Sequence, residues 1–200
     1  NVAIGAEALG ALNYDGEGFN VAVGWNAGIS VSTGATNTIV GGNAAAALTT
    51  GGNNVAIGAE ALFTEDSGSY NTAVGSNALN QLNAGADAYD TAVGYQAGLS
   101  LTTGISNTLL GARSGKATTV GNKNVFVGHD AGFTNVDGSK SVAVGFEALK
   151  VQEPSGATDC YNIAVGETAG VAISTGIKNI SIGGASSAAL TTGSNNIVLG

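Results

Sequence analysis

Proline, cysteine, methionine and histidine are almost missing from this chain: 200 residues contain one Pro, one Cys, no Met and one His. A single Cys closes no internal disulfide, so no disulfide framework is expected and the redox compartment stays open. One His and one Cys supply little of the converging chemistry that catalysis needs, and the expectation is a protein that is not an enzyme. No apolar run reaches the roughly 18 residues of a membrane span, and no basic, apolar-centred leader opens the sequence. A soluble chain without membrane insertion follows. Charge is scarce and lopsided: residues 1–112 hold eight acids and no Lys or Arg, whereas residues 113–200 hold six of each, for a net charge of -8. That field repels phosphate backbones, so no nucleic-acid partner is expected.

Glycine is plentiful, at 33 residues, yet 44% of the chain is hydrophobic and 10% charged. This balance argues for a folded domain rather than a disordered linker. The glycines are ordered by a repeat. One phrase recurs throughout, as NVAIGAEAL at 1, NVAVGWNAG at 20, NTIVGGNAA at 37, NVAIGAEAL at 54, NTAVGSNAL at 71 and DTAVGYQAG at 90. NTLLGARSG at 107, NVFVGHDAG at 124, SVAVGFEAL at 141, NIAVGETAG at 162, NISIGGASS at 179 and NIVLG at 196 complete the series. Most starts lie 17 residues apart, with steps of 19 or 21 residues interspersed. Four units form a super-repeat of 70 residues, giving 1–70, 71–140 and a shortened 141–200. Residues 1–200 are therefore one repeat array, and the expectation is a window on a longer fibre, since free solenoid ends need polar caps.

Numbering positions from the start of each unit, the fifth is always glycine: Gly5, Gly24, Gly41, Gly58, Gly75, Gly94, Gly111, Gly128, Gly145, Gly166, Gly183 and Gly200. These mark a structural turn where the backbone takes a positive φ or approaches its neighbour too closely for a Cβ. Position 8 is Ala or Ser, fitting an interior corner, and position 15 of the 17-residue units is again Gly. Positions 2 to 4 read as a strand apolar on both faces. One face lines the coil; the other needs a cover, which a coil of this length has no helix to provide. The simplest cover is another copy of the chain, with position 3 forming the inter-chain core. Positions 10 and 12, as in Leu99-Ser100-Leu101 and Ile29-Ser30-Val31, suggest a second, weaker strand. No sustained 3.6-residue apolar spacing is present, so the fold class is all-β, a parallel β-solenoid (β-roll) of 17-residue coils.

The phrases N-V-A-I-G-A-E-A-L and N-T-A-V-G-x-x-A resemble the head repeats of YadA-like trimeric autotransporter adhesins. The form T-G-x-x-N-T-x-x-G-x-x-A-G at 103–115 is similar to repeats in bacteriophage tail-fibre and other virion-fibre proteins. The resemblance spans essentially the whole chain and implies a left-handed roll packed side by side as a homotrimer. It also implies an extracellular location on a virion or bacterial surface. The adhesin repeats are shorter, at about 14 residues, so the cross-section here must differ.

Candidate chemistry is sparse. His129 shares position 6 with Trp25, Tyr95 and Phe146 and reads as a surface residue, while Cys160 lies in a lengthened loop with no histidine in its stretch of sequence. Trp25 and Tyr95 hold the same position in equivalent units and are the possible surface contact, where rings could stack on sugars. Carboxylates at Asp15, Glu17, Glu65, Asp66, Asp87, Asp90 and Asp159 fall in loops and read as solvated acids. Calcium is the one cofactor they would suit, but the G-G-x-G-x-D pattern of calcium-binding rolls is missing, so no cofactor is expected. The asparagines that head most units suit a hydrogen-bonded ladder between coils. Lengthened loops (14–19, 84–89 and 154–161) should project along the rod. The expected function is a structural and adhesive fibre segment that presents a tip to a host or cell-surface glycan or protein. The alternative is a monomeric ice- or lattice-binding solenoid, suggested by Thr49-Thr50, Thr102-Thr103, Thr118-Thr119 and Thr191-Thr192.

Overall fold

The computed structural model describes residues 1–13, 18–154 and 156–200. It contains twelve three-residue strands, one at positions 2 to 4 of every unit, from β1 (Val2–Ile4) to β12 (Ile197–Leu199). They form one sheet in strict sequence order, every neighbouring pair parallel and in register, as in Val21↔Thr38 and Thr38↔Val55. No helix occurs among the described residues. The chain is thus a parallel β-solenoid of about eleven turns. At roughly 4.8 Å per coil it rises about 53 Å. Coils are numbered below by their heads, from Asn1 (coil 1) through Asn20, Asn37, Asn54, Asn71, Asp90, Asn107, Asn124, Ser141 and Asn162 to Asn179 (coil 11).

After each strand the backbone makes a run of tight turns. In coil 1 these are closed by Ala8 N to Gly5 O at 3.4 Å, Gly10 N to Glu7 O at 3.1 Å and Leu12 N to Leu9 O at 3.1 Å. The third residue of the first two turns is left-handed, so positions 7 and 9 carry positive φ in coil after coil, for example Asn26 at 56° and Leu62 at 54°. Asn tolerates this region well, which helps explain a polar position 7; its side chains are mostly half-buried rather than fully solvent-facing. The same turns displace the second strand expected at positions 10 and 12. Val31, Leu101 and Ile173 donate to carbonyls three residues back in their own coil, and no strand forms there.

The strand's orientation is the reverse of the expected one. Position 3, not 2 and 4, lines the coil's own interior: Ala22, Ile39, Ala56, Leu109, Phe126 and Ala143 are fully buried. Positions 2 and 4 form the outer face, with Val21, Ile57, Leu110, Val125 and Ile163 all exposed. The reason is the width of the coil. Position 3 faces the small residues of position 8 and the buried residues of positions 9 and 12, such as Ala27, Leu62 and Leu48. Alanine at position 3 leaves room for Leu at position 9 (Leu62, Leu79, Leu149), whereas the coils of Leu109 and Phe126 carry glycine there and that of Ile39 carries Ala45. A Cβ on Gly132 would strike the Phe126 ring, and one on Gly115 would lie 2.8 Å from Leu109 Cδ2.

The fifth-position glycines meet both expected demands. Gly111 has φ +131°, and a Cβ on it would lie 2.6 Å from the Gly128 carbonyl oxygen of the next coil. Position 15 needs close approach alone: a Cβ on Gly34 would run into the Gly51 carbonyl, while its φ is not positive. By contrast Gly42 has no positive φ, and a Cβ added to it would meet nothing within 4 Å. Gly111→Ala should therefore cost about 2–4 kcal/mol through backbone strain and coil-to-coil collision, with Gly42→Ala within about 0.5 kcal/mol of the parent. Chemical-denaturation midpoints of the two variants check this; equal shifts would contradict it.

Candidate functional site

Three features run the length of the rod: a buried asparagine ladder at position 1, an apolar outer face at positions 2 and 4, and ring-bearing corners at position 6 and at the residue just before each head.

The ladder forms as expected. Each Asn Oδ1 accepts the backbone N–H of the next head, as in Asn37 N to Asn20 Oδ1 at 2.9 Å, Asn54 N to Asn37 Oδ1 at 3.0 Å and Asn124 N to Asn107 Oδ1 at 3.0 Å. In seven of the rungs the Nδ2 donates to the carbonyl of the glycine fourteen residues on, as in Asn54 to Gly68 at 2.9 Å and Asn162 to Gly176 at 2.8 Å, whereas the buried Nδ2 of Asn71 has no partner. The ladder thereby joins coil to coil and also ties the strand to the opposite side of its own coil. At coil 9 the head is Ser141, whose side chain is too short for both tasks, and the buried Gln152 completes the rung. Its Oε1 accepts from Asn162 Nδ2 at 2.8 Å and its Nε2 donates to Asn135 Oδ1 at 3.0 Å.

Two carboxylates read as solvated loop acids are instead fully buried. Glu65 stands at position 12, where most coils carry Val, Leu or Ile. Its Oε1 accepts the Gly68 N–H at 2.7 Å and its Oε2 the Ala84 N–H at 3.1 Å, so it seals its own turn and clips on coil 5. Asp90 heads coil 6 in place of an asparagine. Its Oδ1 accepts from Asn107 N at 2.7 Å and Asn107 Nδ2 at 3.1 Å, and its Oδ2 has no partner. Burial pushes its carboxyl up to about 7, against the hydrogen bonds from Asn107 and with help from the charge of Glu65. The signal available in the sequence was the register of the repeats, which puts Asp90 in the asparagine column. Asp66 and Asp87 are exposed, and Asp15 and Glu17 lie outside the described residues, as does much of the first lengthened loop. Among the described residues no three His, Cys, Asp or Glu side chains gather as a metal would require. In the other lengthened loops Gly85 to Asp87 and Gly156 to Ala157 are exposed, whereas Pro154 is buried.

At position 6 Trp25 is 58% and Tyr95 54% exposed. Their neighbours in the same column are small: Ala6 and Gly42 flank Trp25, and Ser76 and Ala112 flank Tyr95. Both rings therefore stand without an aromatic neighbour in that column, four coils or about 19 Å apart. Further along, His129 stacks on Phe146 with ring centroids 5.6 Å apart, and its Nδ1 lies 3.5 Å from Asp130 Oδ2. Asp130 pairs with Arg113 at 2.5 Å. The residues before the heads form a second corner, all at positive φ, where Tyr70 and Tyr89 stack with centroids 5.2 Å apart. On that corner Lys140 donates to Asp159 at 2.6 Å and to the Tyr161 hydroxyl at 3.1 Å, which raises its own affinity for a proton and lowers that of Asp159. Cys160 is buried beside this group, and burial pushes its thiol up, away from the reactive thiolate.

The outer face of the sheet is a continuous apolar surface. Val, Ile, Leu and Thr occupy positions 2 and 4 of all twelve strands, stacked in two files from Val2 and Ile4 to Ile197 and Leu199. Fold and surface together define the class: a repeat protein of the parallel β-solenoid type with an uncovered apolar sheet face. In comparisons with protein-family models, curated proteins and solved structures, nothing matches the chain.

The ladder yields a direct expectation. Asn54→Ala removes partners from the buried Gly68 carbonyl and Asn71 N–H and should cost about 2–5 kcal/mol. The exposed Asn83→Ala should change stability by less than about 0.5 kcal/mol. Denaturant unfolding of both chains checks the difference.

Proposed function

We propose that this chain is a segment of an extracellular structural and adhesive fibre, in which three copies lie side by side and hold a receptor-binding tip away from a virion or bacterial surface. The observation that carries this reading is the pair of apolar files on the outer sheet face, which extend along the rod and have no cover among the described residues. Continuous apolar surfaces on this scale mark association sites. The files lie on the opposite face from the position first expected to pack between chains, and they offer a longer, more regular contact of β-branched residues. The resemblance of the repeats to trimeric adhesin heads and virion fibres points the same way. Coil-to-coil hydrogen bonding gives such a rod axial strength, so its work is reach and stiffness rather than catalysis. Exposed Trp25 and Tyr95, repeated at the super-repeat spacing, suit weak contacts to surface glycans or proteins multiplied by avidity.

The ice- or lattice-binding alternative draws less support. Such a site needs a free, flat rank of threonine hydroxyls. Here Thr49 donates to Asp66 O at 3.0 Å, Thr102 to Thr119 O at 3.1 Å and Thr119 to Val136 O at 3.2 Å, which engages those hydroxyls with the next coil.

Light scattering after size exclusion should give three times the chain mass of 19.3 kDa. Val125→Lys combined with Ile163→Lys on the outer face should reduce it to one chain without loss of β-structure by circular dichroism. A parent mass of one chain would overturn the side-by-side fibre, and thermal hysteresis in that monomer would favour the lattice-binding reading.

A further inference from the structure

We propose that Asp90 is a neutral carboxylic acid in the folded chain, its Oδ2 carrying a proton donated to the Gly104 carbonyl, and that loss of this proton loosens the solenoid at coil 6.

The geometry comes from the ladder. In seven rungs an Asn Nδ2 donates to the carbonyl of the glycine fourteen residues ahead: Asn20 to Gly34, Asn37 to Gly51, Asn54 to Gly68, Asn107 to Gly121, Asn124 to Gly138, Asn162 to Gly176 and Asn179 to Gly193. The residue fourteen ahead of Asp90 is Gly104. Asp90 Oδ1 does what every asparagine Oδ1 does, accepting the next head's N–H at 2.7 Å. Its second oxygen is left for the amide's task. Oδ2 is buried without a partner, and among the described residues no hydrogen bond reaches the Gly104 carbonyl. Two acceptors without a donor are costly in a dry interior; one proton on Oδ2 makes the acid a copy of the asparagine amide.

The surroundings favour the proton. Asn71 and Asn107, the rungs on either side, are uncharged, and residues 1–112 offer no Lys or Arg to compensate a carboxylate. The charged side chain whose field reaches Asp90 is Glu65, of the same sign. Burial and Glu65 place the folded carboxyl at about 7 against an ordinary value of 3.8. The sign follows. Below about 4 both folded and unfolded chains hold the proton and the contribution to stability is complete; between about 4 and 7 only the folded chain holds it, so stability falls as pH rises. This is opposite to an ion-paired carboxylate. The same rod would be firmest in mild acid and would carry a softer joint at its middle coil above neutrality. The inference does not depend on the fibre reading, since it concerns one rung within a single chain.

The test is a titration of the 200-residue chain with ¹³C-labelled aspartate, together with denaturation midpoints and amide exchange of the parent and Asp90→Asn between pH 5 and 8. One carboxyl resonance, lost in Asp90→Asn, should titrate near neutrality. The parent's folding constant should fall by up to tenfold per pH unit across the window relative to Asp90→Asn, which should be the more stable chain at pH 8. Exchange at Thr91–Val93 should quicken at pH 8 relative to Thr38–Val40 in the parent and not in the variant. An Asp90 resonance already ionised at pH 5 would overturn the proposal, as would identical pH profiles of the two chains or a chelator-sensitive signal from a cation in place of the proton. If Asp90→Asn does not fold, sequential assignment of the parent resonance decides the matter alone.

Discussion

Every feature of this molecule depends on successive coils superposing closely enough for hydrogen bonds between them. The coil is too thin for a large core: alanine occupies the strand's inward position in seven of the twelve units. Cohesion therefore comes from hydrogen bonds between coils along the strand, through the turns and down the asparagine column. The asparagine is the key residue because its amide is both donor and acceptor. Its oxygen satisfies the next coil, and its nitrogen satisfies a carbonyl across its own coil that would otherwise be buried unpaired. Where the column departs from asparagine, the departure has local physical consequences. Ser141 needs Gln152 to complete its rung, and Asp90 is left with an oxygen where a donor belongs.

Superposition also explains the side-chain pattern of the interior. A solenoid whose coils stack at fixed spacing cannot widen one coil to fit a larger residue, so volume is exchanged between positions. Phe126 and Leu109 occupy space that glycine at position 9 leaves open, and Leu79 and Leu149 fill it where position 3 is alanine. The large polar residues at position 12 bring their own partners, Glu65 with two turn amides and Asn135 and Gln152 with each other, whereas the buried hydroxyl of Thr118 has none. The outer surface is free of this constraint. Its two files of β-branched and aliphatic residues are set by strand propensity and remain available for association.

The cationic residues sit entirely in the later coils, where Arg113 and Lys140 are matched to Asp130 and Asp159. The earlier coils have acids alone, and two of these, Glu65 and Asp90, are inside. A carboxylate in a dry solenoid without a cation has two ways to persist: to accept several backbone amides or to keep its proton. Glu65 accepts the amides of Gly68 and Ala84, and Asp90 is placed to keep its proton.

The sequence alone determined the repeat, the all-β parallel solenoid, the fifth-position turn and the asparagine column, because each is a one-dimensional periodicity that stacking translates directly into a file. It placed Gly111 and Asn107 correctly without any knowledge of their neighbours. Tertiary structure alone decided which face of the strand is inside, because positions 2, 3 and 4 are all apolar and alternation carries no sign when both faces are. It also decided that positions 10 and 12 form turns instead of a second strand, since the left-handed residues at positions 7 and 9 are occupied by Glu, Leu and Arg as well as Asn and Gly. Burial of Glu65 and Asp90 likewise escaped a local reading. Whether an acid at a loop's edge is wet or dry depends on the coils stacked above and below it, and on which hydrogen-bond partners their backbones present.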